Sequence, residues 1–181
     1  MTDPAHHGHV GHHGHAPTDH AATTTPAEGL EAKVLTVSDG VVAGTRDDRS
    51  GLALVERLGA EGFAVVDHRV VADGRDTVGE AIVEMAEGFT GVIVTTGGTG
   101  FGPRDLTPEG TSVVLDRHAP GLAEAMRLVN PLGRLSRGVA GTRGSALVLN
   151  APGSPAGAVE CLEAVIDVVP HAIRLLAGDP R

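Results

Sequence analysis

Short apolar runs alternate with longer amphipathic segments along the first half of the chain. The runs at 33–38, 63–71 and 92–96 are rich in β-branched residues, and each predicts a buried strand. Between them, apolar residues return every three to four positions, as expected for helices that pack on one face. One such segment runs from Ser50 to about residue 59, and the next runs from Thr77 through Ala86. Strand and helix therefore alternate.

The second half continues in the same way, with helices predicted at 107–118, 122–129, 155–168 and 170–176 and strands at 139–142 and 145–149. The strands are unbroken apolar runs, which is typical of a sheet covered on both faces. The pattern predicts an α/β fold: a doubly wound, mostly parallel sheet with helices on both faces, in a single domain over 31–181.

Side chains that can cap helices mark two of the predicted helix starts. Ser50 stands before one apolar-periodic segment, and Thr77 stands before another. Thr77 with Glu80 has the spacing of a capping box, in which each side chain satisfies one free backbone N–H. We therefore expect these helices to begin at Ser50 and Thr77, with polar turns before them.

Loops that follow the strands carry most of the candidate chemistry. In a parallel α/β sheet, ligands bind beyond the carboxyl ends of the strands. The topology therefore predicts that four segments gather at one edge of the sheet: Ser38–Asp39, Asp73–Asp76, Gly97–Asp105 and Asn150–Ser154.

The most distinctive of these segments is the glycine-rich turn after the strand at 92–96. It reads Gly97, Gly98, Thr99, Gly100, and a helix start at Thr107 follows it. Glycines let backbone N–H groups approach an anion, and a helix N-terminus adds its dipole. The spacing matches neither the P-loop nor the dinucleotide fingerprint, so a tight turn without a ligand stays open as an alternative.

Two aspartates sharpen the interpretation of this edge. Asp73 follows the second strand and Asp105 follows the glycine-rich turn. Two carboxylates at neighbouring strand ends can share Mg²⁺, which prefers one or two carboxylates together with phosphate oxygens. Each aspartate alone is equally typical of a cap or turn. Arg104, Ser136 and Arg137 could contact phosphate or could be solvated loop residues.

The first 30 residues have a different composition. They contain seven of the ten histidines and almost no large apolar residue, so we expect a disordered tail. A histidine-rich tract can bind zinc, nickel or copper. A solvated tail with incidental metal affinity is the other interpretation.

Composition excludes several classes of function. A net charge of −9, three Phe, no Tyr and no Trp argue against nucleic-acid binding. The single cysteine, Cys161, cannot form an intramolecular disulfide and is expected to be a buried small residue.

No apolar run approaches the roughly 18 residues of a membrane span. With no secretory signal pattern, a cytoplasmic location is expected. The other histidines, His68, His118 and His171, are expected to be structural.

Four ordered motifs identify a resemblance over 33–178. They are TTGGTG at 95–100, PRDLTPE at 103–109, LSRG at 135–138 and NAPGSP at 150–155. Together they resemble the molybdenum-cofactor biosynthesis domain, and specifically the single-domain molybdopterin adenylyltransferases of the MogA/MoaB type. The resemblance implies a doubly wound domain that assembles as a homotrimer. It also implies transfer of AMP from Mg-ATP to the terminal phosphate of molybdopterin, with release of pyrophosphate.

The resemblance also assigns roles to residues of this chain. It implies that Asp73 and Asp105 are catalytic and hold Mg²⁺. It implies that one set of residues binds the phosphates of the nucleotide: Ser38, Asp39, Gly97, Gly98, Thr99 and Gly100. It implies that a second set binds molybdopterin: Ser136, Arg137, Pro152, Gly153 and Ser154. The product would pass to a molybdate-insertion enzyme. A non-catalytic molybdopterin carrier is the alternative.

Overall fold

The computed structural model describes residues 27–178, and a six-stranded sheet forms their centre. The strands stand in the order β2-β1-β3-β6-β5-β4. Their bounds are Glu31–Val37 (β1), Ala64–Val71 (β2), Gly91–Thr96 (β3), Arg117–His118 (β4), Ala140–Arg143 (β5) and Ala146–Ala151 (β6). β2, β1, β3 and β6 run parallel, and β5 and β4 continue the sheet antiparallel. The predicted mostly parallel sheet is confirmed.

Seven helices and one 3₁₀ turn surround the sheet in residues 27–178. The helices are Asp39–Val42 (α1), Arg49–Ala60 (α2), Arg75–Ala86 (α3), Thr107–Val114 (α4), Pro120–Leu128 (α5), Pro155–Glu163 (α6) and Val169–Leu176 (α7), and the 3₁₀ turn is Pro131–Leu135. None of them is long and apolar enough to cross a membrane.

Alternate residues of the central strands face two separate cores, which makes the fold three layers deep. Val34 of β1 packs in one core with Leu54 of α2 and Leu162 of α6. Its neighbour Leu35 packs in the other core with Ile82 of α3. Because β3 and β6 are buried at every position, neither strand has a face towards solvent. Their residues at 92–94 and 146–149 are all apolar, and the polar residues Thr95, Thr96 and Asn150 are confined to the carboxyl ends.

Two predicted helix starts are wrong, and in both cases another residue begins the helix. The α2 cap is Asp48, whose Oδ1 accepts the Gly51 N–H at 2.9 Å, while Ser50 is buried inside the first turn. The capping box at Thr77 does not form. Instead α3 begins at Arg75 after Gly74, a glycine at φ 150° whose carbonyl accepts the Val78 N–H. A residue with a side chain rarely adopts that conformation, so glycine sets this helix start.

Several other boundaries differ from the predictions. A short helix, α1, lies between the first strand and the predicted helix start at Ser50; it is capped by Ser38, whose Oγ accepts the Val41 N–H at 3.3 Å. The helix predicted to reach His118 ends at Val114, because Arg117 and His118 pair with β5 instead. The helix predicted at 155–168 ends at Glu163.

Core packing among the described residues also includes a residue on the N-terminal side of position 31, where the domain is predicted to begin. Ala27 is buried in the core and accepts a backbone hydrogen bond from Leu30. The predicted disorder and metal binding of the histidine-rich segment fall on residues 1–26, outside the described part of the chain.

Candidate functional site

The four strand-end segments meet at one edge of the sheet, as the topology predicted. The Gly97 N–H donates to the Ala151 carbonyl at 3.2 Å, and Thr96 Oγ1 donates to the Pro152 carbonyl at 2.8 Å. These contacts hold the turn after β3 against the turn after β6. On the other side, the loops after β1 and β2 contact each other through Asp39 and Asp73.

Asp39 and Asp73 form a reciprocal pair of hydrogen bonds. The Asp39 N–H donates to Asp73 Oδ2 at 2.8 Å, and the Asp73 N–H donates to Asp39 Oδ1 at 3.1 Å. Arg104 adds a third connection, because it donates to both Asp39 oxygens and to the Asp73 carbonyl. Its hydrogen bonds hold the pKa of the Asp39 carboxyl below the ordinary value. Asp39 and Arg104 therefore join three loops and orient the Asp73 carboxylate.

The glycine-rich turn needs glycine at its first two positions. Gly97 and Gly98 have φ of 101° and 61°, in the left-handed region. A Cβ at Gly97 would lie 2.2 Å from the Val37 carbonyl oxygen. A Cβ at Gly98 would lie 2.4 Å from Thr107 Oγ1 and 3.2 Å from Asp73 Oδ1. The turn thus passes directly over the Asp73 carboxylate, with no room for a side chain between them.

Asp105 approaches the same turn from its other end. Its Oδ2 accepts the Gly102 N–H at 2.8 Å, and a Cβ at Gly100 would lie 2.8 Å from the same oxygen. Asp73 and Asp105 therefore both lie against the backbone of this turn, Asp73 at Gly98 and Asp105 at Gly100 and Gly102. The two carboxylates that the sequence singled out thus lie against the same glycine-rich segment.

These donors fit magnesium better than a metal bound by protein ligands alone. Residues 27–178 contain no group of three or more His, Cys, Asp or Glu side chains placed to hold a metal ion. Two aspartates beside a glycine-rich turn suit Mg²⁺, which prefers one or two carboxylates together with water and phosphate oxygens. The buried Thr107 hydroxyl, which has no hydrogen-bond partner, lies against the same turn and adds another polar oxygen there.

Arg137 supports the turn from the C-terminal half of the chain. Its backbone N–H donates to the Thr99 carbonyl at 3.0 Å and its Nε donates to the Gly100 carbonyl at 2.7 Å. The other guanidinium nitrogens contact the Asp105 carbonyl and the Glu109 carboxylate. The substrate role that the resemblance implies for Arg137 stays a prediction; in the structure its guanidinium contacts protein groups of the turn and of α4. It fixes the shape of the turn.

Glu109 is held in its ionised form by this contact. Burial pushes the pKa of its carboxyl upward, but the Arg137 hydrogen bond opposes burial and the pKa lies below the ordinary value. The carboxylate at the start of α4 is also favoured by the helix dipole.

A cleft of about 540 Å³ opens beside the turn. Eight predicted site residues line it: Gly98, Thr99, Gly100, Asp105, Ser136, Pro152, Gly153 and Ser154. The other predicted site residues, Ser38, Asp39, Asp73, Gly97 and Arg137, do not line it. Ser38 lines a smaller cavity of about 160 Å³, and Gly153 borders both spaces.

Half of the residues that line this cleft were not predicted from the sequence. They are Asn130, Leu132, Gly133, Leu135, Ala156, Gly157, Glu160 and Cys161. A helical-period signal was present, because Gly157, Glu160 and Cys161 share one face of α6. As expected, Cys161 is buried, and its Sγ donates to the Met126 carbonyl at 3.3 Å. Burial raises the pKa of its thiol, which disfavours the nucleophilic thiolate.

Known proteins share this fold and much of this sequence. The molybdopterin adenylyltransferase of Helicobacter pylori strain J99 is 37% identical over 153 residues, which are 81% of this chain and 87% of that protein. The molybdopterin adenylyltransferase of Escherichia coli K12 is 33% identical over 82% of this chain and 86% of its own length.

Solved structures of proteins named for molybdopterin biosynthesis also resemble this chain in fold. The molybdopterin biosynthesis enzyme MoaB of Thermus thermophilus superimposes with a TM-score of 0.78 at 48% identity, over 83% of this chain and 98% of that one. The Mog protein of Mycobacterium ulcerans gives a TM-score of 0.76 at 40% identity, over 82% and 97%. Residues 33–171 match the sequence family described as the probable molybdopterin binding domain. The chain belongs to that family.

Proposed function

We propose that this protein is a molybdopterin adenylyltransferase, which transfers AMP from Mg-ATP to the terminal phosphate of molybdopterin and releases pyrophosphate. The relatives of that name cover most of the chain. The observation that carries the proposal is the position of Asp73 and Asp105, which both lie against one glycine-rich turn. That turn lies at the edge of a cleft of about 540 Å³.

The position of each residue suggests which part of the substrates or the cation it contacts. The turn at 97–100 offers backbone N–H groups to phosphate oxygens. Ser154 begins α6 beside the cleft, and its side chain makes no capping hydrogen bond, so its hydroxyl and the helix N-terminus can contact an anion. Asp73 and Asp105 would hold Mg²⁺, which when bound neutralises charge on the phosphates. Asp39, Arg104 and Arg137 keep these groups in place.

The reaction is an exchange at one phosphorus atom. An oxygen of the molybdopterin phosphate forms a bond to the α-phosphorus of ATP, and the bond to pyrophosphate breaks. No covalent enzyme intermediate is needed, so the protein contributes positioning and electrostatic stabilisation. Because the protein carries −9 and both substrates are anionic, the local N–H groups and the cation supply the attraction.

The alternative is a carrier that binds molybdopterin without chemistry. The two carboxylates against the turn favour the enzyme, because binding alone does not require a metal-holding pair there. A homotrimer, a cytoplasmic location and delivery of the product to a molybdate-insertion enzyme complete the proposal.

Pyrophosphate release measured with molybdopterin, ATP and Mg²⁺ tests this proposal. We expect release that depends on all three components. Binding of molybdopterin without pyrophosphate release would support the carrier instead.

A further inference from the structure

The cleft has a second acidic group, well away from the glycine-rich turn. Glu160 lies on α6 and lines the cleft. Its Oε2 accepts a hydrogen bond from Asn130 Nδ2 at 3.0 Å, and no ion pair among residues 27–178 includes it. A carboxylate has about four acceptor sites, so Glu160 presents unfilled acceptor capacity to the cleft.

The position of Glu160 separates it from the phosphate end of the cleft. Glu160 lies six positions after Ser154, which corresponds to about 9 Å along the axis of α6. Gly157 lies between them and leaves this wall without a side chain. A Cβ there would meet Ser154 Oγ at 2.6 Å and Pro152 Cγ at 3.2 Å. The cleft therefore has an anion-binding end, a smooth middle and a carboxylate end.

The surroundings of the carboxylate end suit a planar heterocycle, whose faces can pack on apolar side chains while its polar edge meets the carboxylate. Leu132, Leu135 and Ala156 line the cleft with Glu160. Asn130 is itself fixed, because its Oδ1 accepts the Leu132 N–H at 2.9 Å. Its amide must then direct its N–H donors towards Glu160, which sets the orientation of the carboxylate.

We propose that Glu160 determines specificity for the pterin by accepting hydrogen bonds from its amino-pyrimidinone edge. This inference rests on the proposed function. A pterin presents its 2-amino group and the adjacent ring N–H side by side in one plane, and a carboxylate pairs with such a donor pair through two parallel hydrogen bonds. The phosphate and this edge are at opposite ends of molybdopterin, as the turn and Glu160 are at opposite ends of the cleft.

Glu160→Gln is the matched test. Glutamine keeps the volume, and its oxygen can still accept from Asn130, so the 3₁₀ turn keeps its support. The second oxygen is replaced by an NH₂ group, which cannot accept from the pterin. We expect the Kd for molybdopterin, measured without ATP, to rise about 10- to 100-fold. The Kd for Mg-ATP and kcat at saturating molybdopterin should change by less than about threefold.

Glu163→Gln is the control on the same helix. Glu163 pairs with Arg57 at 2.9 Å, its side chain is 50% exposed, and it does not line the cleft. It should leave the Kd for molybdopterin unchanged.

A pair of small competitors tests the chemistry of the edge directly. Hydroxymethylpterin carries the 2-amino donor, whereas hydroxymethyllumazine carries an oxygen acceptor at that position. Wild-type protein should bind the pterin more tightly, and Glu160→Gln should lose most of that preference.

The outcomes separate the two proposals. If wild-type protein binds molybdopterin and Glu160→Gln binds it equally well with full preference for the pterin, the inference about Glu160 is wrong and the proposed function stands. If wild-type protein binds no molybdopterin, the proposed function fails and the inference fails with it.

Discussion

Arg104 pairs with Asp39 through two hydrogen bonds, at 2.5 and 3.0 Å to its two carboxylate oxygens. The same guanidinium donates to the Asp73 carbonyl at 2.6 Å. One side chain from the loop after the glycine-rich turn thereby fixes the ends of β1 and β2. Asp39, which the resemblance assigned to nucleotide binding, uses its carboxylate to position Asp73.

Arg104→Gln should therefore lower turnover without unfolding the protein. Its side chain is 62% exposed, and solvent screens such a pair, so the urea midpoint should stay close to that of wild type. We expect kcat for pyrophosphate release to fall about tenfold or more, because the Asp73 loop loses its fixed position. Arg117→Gln, at an exposed position on edge strand β4, is the control. Equal turnover in the two variants would contradict the positioning role.

Asp73→Asn and Asp105→Asn should each reduce pyrophosphate release at least about a hundredfold. Both substitutions retain a side-chain oxygen, which can accept the Asp39 N–H in one case and the Gly102 N–H in the other. Urea denaturation should therefore show a midpoint near that of the unchanged protein. Wild-type turnover in both variants would remove the two residues from the catalytic assignment.

Gly98→Ala should destabilise the fold as well as the site. The new methyl group would stand 2.4 Å from Thr107 Oγ1, at a φ that alanine rarely adopts. We expect a loss of about 2–3 kcal/mol in the free energy of unfolding, measured by urea denaturation. Gly59→Ala is the opposite case, since it lies in α2 with open space around a Cβ. Gly59→Ala should raise the free energy of unfolding by about 0.5–1 kcal/mol.

Acid should selectively remove the contribution of the Glu109–Arg137 ion pair. The folded-state pKa of Glu109 is lowered, so the pair stabilises the fold above the ordinary glutamate pKa of about 4.3. That contribution is lost as the pH falls through the lower folded value. Wild type should therefore exceed Glu109→Gln in urea midpoint at pH 7, and the difference should shrink below about pH 4. A difference independent of pH would show that the charge is not responsible.

The sequence predicted the parts of this fold in which one local pattern decides the outcome. β3 and β6 are buried on both faces, and their apolar residues at 92–94 and 146–149 predicted both strands. β6 nevertheless continues two residues beyond its predicted end at 149, through Asn150 and Ala151. The start of α3 was missed because Thr77 and Glu80 fit a capping box. Nothing in their spacing shows that Gly74 allows an earlier start.

For the candidate site as well, some contacts follow from a local pattern in the sequence and others do not. The gathering of Asp39, Asp73 and the glycine-rich turn follows from parallel strand direction alone. The contact between Asn130 and Glu160 does not, because it joins a loop and a helix 30 positions apart. Their distance depends on how α5 and α6 pack, which a single sequence leaves open. The role of Arg137 as a support for the turn was likewise visible only in three dimensions.

Because the Gly97 N–H donates to the Ala151 carbonyl, the site can form completely only after residue 151 has been synthesised. Both aspartates and the whole glycine-rich turn precede residue 110, whereas Arg137 and β6, which support them, are synthesised later. A nascent chain that stops before Asn150 contains every proposed metal-holding group but lacks the complete strand beside them. Because the parallel pairing of β3 with β6 joins residues far apart in the chain, it closes a long loop and forms slowly. The site is therefore completed only after nearly the whole domain has been translated.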